Sequence, residues 1–184
     1  MIRMWNAWLA SLLCLAVFVS PVFAQPPKAE KPATPPVASP GRAPGPHVLI
    51  ETDRGKLSIE LLPDVAPKTV ARFTELVRKG FYNGLTFHRV VPKFLIQGGD
   101  PSGAGTGGSG QTIPAEFSER KHLVGTVGMA HTKDPDSADS QFYICLEPQP
   151  FLDGKYTVFG QVVEGLDLLP KFQEGDVMRK VTLR

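Results

Sequence analysis

From residue 47 onwards, short apolar runs alternate with segments rich in glycine and other turn-forming residues. Residues 56–61 alternate polar and apolar side chains, which is the pattern of a half-buried β-strand. Residues 47–52 are its expected partner, because Asp53-Arg54-Gly55 supplies a turn between the two runs. Further strands are predicted at residues 86–91, 94–97, 124–130, 141–146, 157–163 and 176–183. Many short strands with few helices favour a mostly antiparallel barrel.

Two segments carry a helical pattern instead. The first begins at Pro67, which suits a first-turn position, and ends before Gly80, which lies where a C-terminal cap is expected. Between them, apolar residues recur at helical spacing. A second, short helix is predicted at residues 165–172, where Pro170 must lie early in the helix or kink it. Because strands and helices do not alternate regularly, a doubly wound parallel sheet is not expected.

Residues 1–24 have the composition of a secretory signal peptide. Arg3 supplies a positive start, residues 8–23 are almost wholly apolar, and Ala24 is a small residue suited to cleavage. The apolar run counts 16 residues, whereas a spanning helix needs about 20. We therefore expect export and cleavage of the leader. The alternative is an uncleaved leader that anchors the protein in the inner membrane.

Residues 25–46 separate this leader from a globular domain at residues 47–184. The segment holds eight prolines in 22 positions and no aromatic residue. Such a composition cannot bury enough apolar surface to offset the entropy of ordering, so a disordered linker with extended conformations is predicted. A docking motif within this segment is the alternative. Cleavage after residue 24 would remove Cys14 and leave Cys145 without an intrachain disulfide partner.

Charge and motif spacing argue against several kinds of chemistry. The chain has 20 Lys and Arg residues against 18 Asp and Glu, and a net charge of +2, so no binding of nucleic acid is expected. Residues 103–108 match the spacing of a dinucleotide fingerprint, but no helical pattern follows them. Residues 134–139 lack the glycine and the terminal glutamate of a calcium loop. The four histidines show no paired ligand spacing. We therefore expect neither a metal nor another cofactor.

Seven motifs follow one another between residues 80 and 160. They are GFYNG at 80–84, FHRVVP at 87–92, FLIQGGDP at 94–101, GTGG at 105–108, GMA at 128–130, SQFYI at 140–144 and FLDGKYTVFG at 151–160. In this order the set resembles the cyclophilin family of peptidyl-prolyl cis-trans isomerases, over about residues 48–183. The resemblance implies a mostly β fold, an eight-stranded antiparallel barrel capped by two α-helices, with a peptide groove on its outer face. The compact form resembles bacterial periplasmic members, and with the export signal this implies the periplasm of a Gram-negative cell.

The resemblance also implies which residues act. Taken alone, Arg89 on a strand is more often solvated or ion-paired than catalytic. The resemblance makes Arg89 the central catalytic residue, with Gln97 orienting it and Phe94 beside it. Phe94 also lines the implied proline pocket, together with Leu95, Tyr143 and Leu152. The implied substrate-binding residues are His88, Leu95, Ala130, His131, Gln141, Tyr143, Phe151, Leu152 and Tyr156.

Three positions depart from the family pattern. Phe151 stands where animal members carry a tryptophan, and because phenylalanine has no hydrogen-bond donor, weak cyclosporin binding at most is expected. Tyr143 brings a hydroxyl to a site usually held by phenylalanine, so this hydroxyl needs a partner or solvent. Tyr156 replaces a histidine, which puts that groove contact in doubt.

The expected activity is therefore cis-trans isomerisation of Xaa-Pro bonds in exported proteins, which assists their folding. The expected partners are proline-containing polypeptides, above all unfolded or partly folded exported proteins, and a monomer is expected. The alternative is a proline-peptide-binding chaperone module on the same barrel, in which catalysis is incidental.

Overall fold

Eight antiparallel β-strands form one sheet in the computed structural model, which describes residues 45–184. The strands are β1 (His47–Thr52), β2 (Gly55–Leu61), β3 (Arg89–Val91), β4 (Leu95–Gly98), β5 (Thr126–Met129), β6 (Phe142–Cys145), β7 (Val158–Glu164) and β8 (Met178–Leu183). Their order in the sheet is β3-β4-β6-β5-β7-β2-β1-β8. Thr86, just before β3, pairs with Val177, just before β8. The sheet therefore curls until its two edge strands approach each other, as a barrel requires.

One α-helix, α1 (Pro67–Arg78), packs four apolar side chains against the barrel. It begins at the predicted proline, and Gly80 follows its end with a left-handed φ of 69°, a conformation that glycine adopts at little cost. The second predicted helix forms at Leu166–Lys171, but it is a six-residue 3-10 helix rather than an α-helix. Pro170 lies inside it and has no N–H for an α-helical hydrogen bond. Two further 3-10 turns span Pro135–Ser137 and Pro150–Leu152.

The predicted strands are all present, but β3, β5, β6 and β8 are shorter than the apolar runs suggested. β3 begins only at Arg89, and Thr86 contributes a single bridge. β5 begins at Thr126, because Gly125 has a left-handed φ of 77° that ends the extended conformation. The predicted turn between β1 and β2 is stabilised by the Arg54 backbone N–H, which donates to Thr52 Oγ1 at 3.1 Å.

The sheet buries a different apolar cluster on each face of its β4 and β6 strands. Ile96, Phe142 and Ile144 belong to the main core inside the barrel. Alternate residues of the same strands point the other way. They form a second, smaller cluster with residues from neighbouring loops: Leu95, Tyr143, Cys145 and Leu152 are buried, with Phe94, Ala130 and Tyr156 packed against them. This outer cluster contains all four residues of the predicted proline pocket.

The predictions for the N-terminal region fall outside the described residues. The predicted signal peptide, residues 1–24, and residues 25–44 of the predicted linker belong to this part of the chain. Within residues 45–184, no helix has both the length and the apolar character needed to cross a membrane.

Candidate active site

Strand register aligns the central site residues across three strands. Arg89 on β3 lies opposite Gln97 on β4, and Gln97 lies opposite Tyr143 on β6. Residues directly opposite each other in a sheet have neighbouring side chains on the same face. The face that carries the outer apolar cluster therefore also carries the guanidinium of Arg89 and the amide of Gln97.

The Arg89 side chain is exposed and lies between an amide and an aromatic ring. Its Nη1 donates to Gln97 Oε1 at 3.5 Å, and its Cζ lies 5.9 Å from the centroid of the Phe94 ring. That separation is within the range of about 6 Å in which a cation is attracted to a ring face. Among the ion pairs found between residues 45–184, none involves Arg89. Within these residues, no carboxylate therefore neutralises the Arg89 guanidinium.

A chain of amide hydrogen bonds fixes which end of Gln97 faces Arg89. Gln141 Nε2 donates to the backbone carbonyls of Gly105 at 3.1 Å and Gly107 at 2.8 Å. Since carbonyls only accept, the Oε1 of Gln141 must point the other way, where it accepts from Gln97 Nε2 at 2.9 Å. Gln97 is then left with its Oε1 towards Arg89. The backbone thus sets the orientation of both amides.

Asp100 holds the loop that supplies these two carbonyls. Its buried carboxylate accepts from the Ser102 backbone N–H at 2.7 Å and from the Gly105 backbone N–H at 2.5 Å. Burial by itself would raise the pKa of Asp100, but hydrogen bonds from Ser102, Gly107 and Gly105 lower it to about 2. The glycine-rich segment 103–108, whose spacing only superficially matches a dinucleotide fingerprint, is therefore connected to the site by Asp100.

The four residues predicted to form a proline pocket lie together in the outer cluster, which we call the proline socket. Leu95, Tyr143 and Leu152 are each at most 6% exposed, and Phe94 packs against them. Phe151 lies at the rim, 58% exposed, with its ring centroid 5.7 Å from that of Phe94.

Ala130, His131 and Gln141 lie beside the socket, where they line a cavity of about 380 Å³ together with Gln97. The His131 side chain is tied down, with Nδ1 2.7 Å from the Thr132 carbonyl and Nε2 3.0 Å from the Lys155 carbonyl. Its ring also stacks on Tyr156, with centroids 4.3 Å apart. The position doubted in the sequence, Tyr156, therefore contacts both the socket and His131.

His88 is placed differently from the other predicted residues. It is half-buried and belongs neither to the socket nor to the cavity lining. A Cβ atom at Gly105 would lie 3.8 Å from its ring, so the two are close neighbours. Burial lowers the pKa of the His88 imidazole, and its Nδ1 has no hydrogen-bond partner within residues 45–184.

Sequence reasoning missed two residues of this region, Cys145 and His122. Cys145 is fully buried in the socket opposite Leu95. His122 is 1% exposed, and its Nε2 lies 2.9 Å from the hydroxyl of Tyr143. The hydroxyl partner expected for Tyr143 is thus a side chain that lies 21 residues away in the sequence. The only signal for it was the presence of a hydroxyl on an otherwise apolar pocket residue.

Comparison with known proteins decides the family. A family model described as cyclophilin type peptidyl-prolyl cis-trans isomerase/CLD matches residues 47–184. The chain belongs to the cyclophilin family. Peptidyl-prolyl cis-trans isomerase B of Bacillus subtilis is 50% identical over 137 residues, which cover 73% of this chain and 94% of that protein. A peptidyl-prolyl cis-trans isomerase of Synechococcus elongatus is 46% identical over 139 residues, covering 74% and 95% of the two chains.

Solved cyclophilin structures share the fold. A cyclophilin of Cryptosporidium parvum, crystallised in the presence of the dipeptide Ala-Pro, superimposes with a TM-score of 0.70 at 30% identity. The match covers 75% of this chain and 98% of that one. AquaCyp293 of Hirschia baltica gives a TM-score of 0.68 at 27% identity, over 74% of this chain and 73% of that one. This cyclophilin is therefore an enzyme, a peptidyl-prolyl cis-trans isomerase.

Proposed function

We propose that this cyclophilin isomerises Xaa-Pro bonds in exported polypeptides, with Arg89 as the catalytic residue. The observation that carries the proposal is the place of the Arg89 guanidinium. It lies next to Phe94 of an apolar socket, is oriented by Gln97, and forms no ion pair with any carboxylate of residues 45–184. A cation without a carboxylate partner at the edge of an apolar socket suits a rotating imide.

The chemistry requires no nucleophile, because no covalent bond breaks. Rotation about the peptide bond removes resonance, and the uncatalysed barrier is about 18–20 kcal/mol. In the twisted state the proline nitrogen becomes pyramidal and regains a lone pair. An N–H of Arg89 that hydrogen-bonds to this nitrogen stabilises the twisted state more than the planar amide, which lowers the barrier. Arginine suits this role because its charge is fixed at every relevant pH.

The proline socket supplies the complementary part of the mechanism. Burial of the apolar proline ring against Phe94, Leu95, Tyr143 and Leu152 holds one side of the bond still while the other side turns. Exclusion of water by these side chains also strengthens the hydrogen bond from Arg89. The adjoining cavity, lined by Ala130, His131 and Gln141, is suited to residues flanking the proline. The Ala-Pro dipeptide used with the Cryptosporidium parvum relative supports a proline-containing ligand.

A peptide titration followed by NMR tests the proposed site. The probe is Ala-Ala-Pro-Phe, and the matched control is Ala-Ala-Ala-Phe, which lacks the ring that the socket would bury. We expect the proline peptide alone to shift the amide signals of Leu95, Ala130 and Tyr143. Equal shifts with both peptides, or shifts confined to α1, would contradict the assignment.

Export is a separate part of the proposal and has its own test. The support is the sequence of residues 1–24, with its positive start, apolar run and small residue at position 24. Cell fractionation with N-terminal sequencing should recover a periplasmic protein that begins at Gln25. An Ala24→Arg variant should keep residues 1–24, because the small residue suited to cleavage is lost. Recovery of wild-type protein in the inner membrane with residues 1–24 attached would favour the anchored alternative instead.

A further inference from the structure

A buried histidine lies directly behind the proline socket, between a carboxylate and a phenol. His122 Nδ1 is 3.0 Å from Asp153 Oδ1, and His122 Nε2 is 2.9 Å from the hydroxyl of Tyr143. The imidazole is stacked near the Tyr143 ring, with centroids 6.1 Å apart and planes inclined by 17°. None of these contacts involves Arg89 or Gln97, so the proposed catalytic role of Arg89 does not explain why His122 is placed here.

The carboxylate determines which way the hydrogen bonds run. An ionised carboxylate only accepts, so the Nδ1 of His122 must carry a proton. Although burial would raise the pKa of Asp153, hydrogen bonds from the His122 backbone and side chain and from Lys121 lower it, which keeps the carboxylate ionised. In the neutral imidazole the Nε2 of His122 is then an acceptor, and the Tyr143 O–H donates to it. Burial raises the pKa of Tyr143, so its hydroxyl keeps the proton that it donates.

The same histidine joins the loops that complete the socket. Its backbone N–H donates to Asp153 Oδ1 at 2.9 Å, and its backbone carbonyl accepts from the Gln149 N–H at 2.8 Å. Gln149 Nε2 in turn donates to the Lys93 carbonyl at 3.0 Å. The segment that bears Leu152 and the segment that bears Phe94 are therefore both connected to His122.

The Tyr143 ring has room for this arrangement only because a glycine faces it. A Cβ atom placed on Gly128 would collide with the ring and hydroxyl of Tyr143. The ring therefore lies close against the β5 backbone at Gly128, the residue opposite it, and its hydroxyl lies 2.9 Å from His122 Nε2. The rotation of this ring is set by a hydrogen bond as well as by packing.

We propose that His122 is a positioning residue for the isomerase reaction, which holds the Tyr143 ring as one wall of the proline socket through a hydrogen bond whose direction Asp153 fixes. The inference rests on the proposed function, since it assumes that Tyr143 contacts the substrate proline. His122 itself touches no substrate. Its loss should weaken binding of the proline ring and leave bond rotation beside Arg89 largely unchanged.

A double-mutant cycle on the full-length protein tests this role with Ala-Ala-Pro-Phe as substrate. His122→Leu leaves the buried Tyr143 hydroxyl without an acceptor, so KM should rise at least about fivefold while kcat stays within about twofold. Tyr143→Phe removes that hydroxyl but keeps the ring. The double variant should then have a KM within about twofold of Tyr143→Phe alone, because the two substitutions remove one interaction. Additive effects, a loss confined to kcat, or an unchanged KM in His122→Leu would overturn the proposal.

Measurements on the wild-type protein keep the proposal testable if His122→Leu fails to fold. Nitrogen-15 NMR at about pH 8 should show His122 protonated at Nδ1, with a slowly exchanging Tyr143 hydroxyl proton that shifts when Ala-Ala-Pro-Phe is added. Protonation at Nε2, or a hydroxyl signal that saturating peptide leaves unmoved, would overturn it. An Arg89→Ala variant separates the two hypotheses. If that variant matches wild type in turnover, the catalytic assignment of Arg89 fails. The KM values and the NMR measurements then still decide, independently, whether His122 positions Tyr143.

Discussion

The Asp100 carboxylate offers a sharp test of how the site is held together. It is 1% exposed and receives hydrogen bonds from the loop whose carbonyls orient Gln141. Replacement of Asp100 by Asn removes the negative charge but keeps the size and one acceptor oxygen. The variant should lose stability, and the loop carbonyls of Gly105 and Gly107 should lose their fixed positions. Isomerase turnover should therefore fall as well.

The size of the expected loss of stability follows from the pKa of Asp100, which is about 2 in the folded protein against an ordinary value of 3.8. Each pKa unit corresponds to about 1.4 kcal/mol, so the ionised carboxylate stabilises the fold by about 2 kcal/mol. Because the folded pKa is the lower one, this stabilisation is fully present above about pH 4. It is lost as the pH falls from about 4 to about 2, where the folded protein also becomes protonated.

Urea unfolding at a series of pH values measures this contribution. At pH 7, Asp100→Asn should lower the free energy of unfolding by about 2 kcal/mol, and the difference from wild type should shrink as the pH approaches 2. Asp167→Asn is the matched control, because that carboxylate is 78% exposed with a single lysine partner at 3.7 Å. Its effect should be below about 1 kcal/mol at every pH. A difference for Asp100→Asn that is equally small, or that does not change with pH, would refute the reasoning.

Three further predictions concern the socket and its rim. Burial raises the pKa of Cys145 to about 12, aided by the negative charge of Asp153, so iodoacetamide at about pH 8 should modify Cys145 only after unfolding. Rapid labelling of the native protein would contradict this. Gly128→Ala should cost about 1–3 kcal/mol in urea unfolding because its methyl group collides with Tyr143, and a neutral effect would argue against so close an approach of the ring to the β5 backbone. Phe151→Trp adds an N–H donor at the exposed rim and should tighten cyclosporin binding in a calorimetric titration. Unchanged affinity would contradict the expectation that the missing donor at position 151 weakens cyclosporin binding.

The local pattern of apolar, polar and turn-forming residues was sufficient to predict most of the strands and helices. The alternation in residues 56–61 predicted β2, and the proline and glycine at either end predicted the bounds of α1. The sequence did not specify that Leu166–Lys171 would form a 3-10 helix, since the choice depends on how a six-residue segment containing a proline packs. The barrel closure at Thr86 and Val177 joins positions 91 residues apart, which no local pattern reveals.

The candidate site was predictable where a motif carried it and hidden where contacts were long-range. Arg89 and Gln97 were found through their motifs, and the β3-β4 hairpin register then explains why they meet. The role of Gln141 as an oriented amide depends on carbonyls at Gly105 and Gly107, more than 30 residues away. His122 was passed over because a lone histidine has no spacing pattern, and its two partners lie 21 and 31 residues away.

The most direct test of the account is the exchange rate of Ala-Ala-Pro-Phe in the presence of Arg89→Ala, measured by NMR exchange spectroscopy alongside peptide affinity. The control is Arg179→Ala, an exposed arginine on β8 that pairs with Asp53 and belongs neither to the socket nor to the cavity lining. Loss of one transition-state donor predicts a decrease in kcat of about 100-fold or more for Arg89→Ala, with peptide affinity nearly unchanged and the control fully active. A kcat within about threefold of wild type would contradict the claim that this guanidinium stabilises the twisted imide.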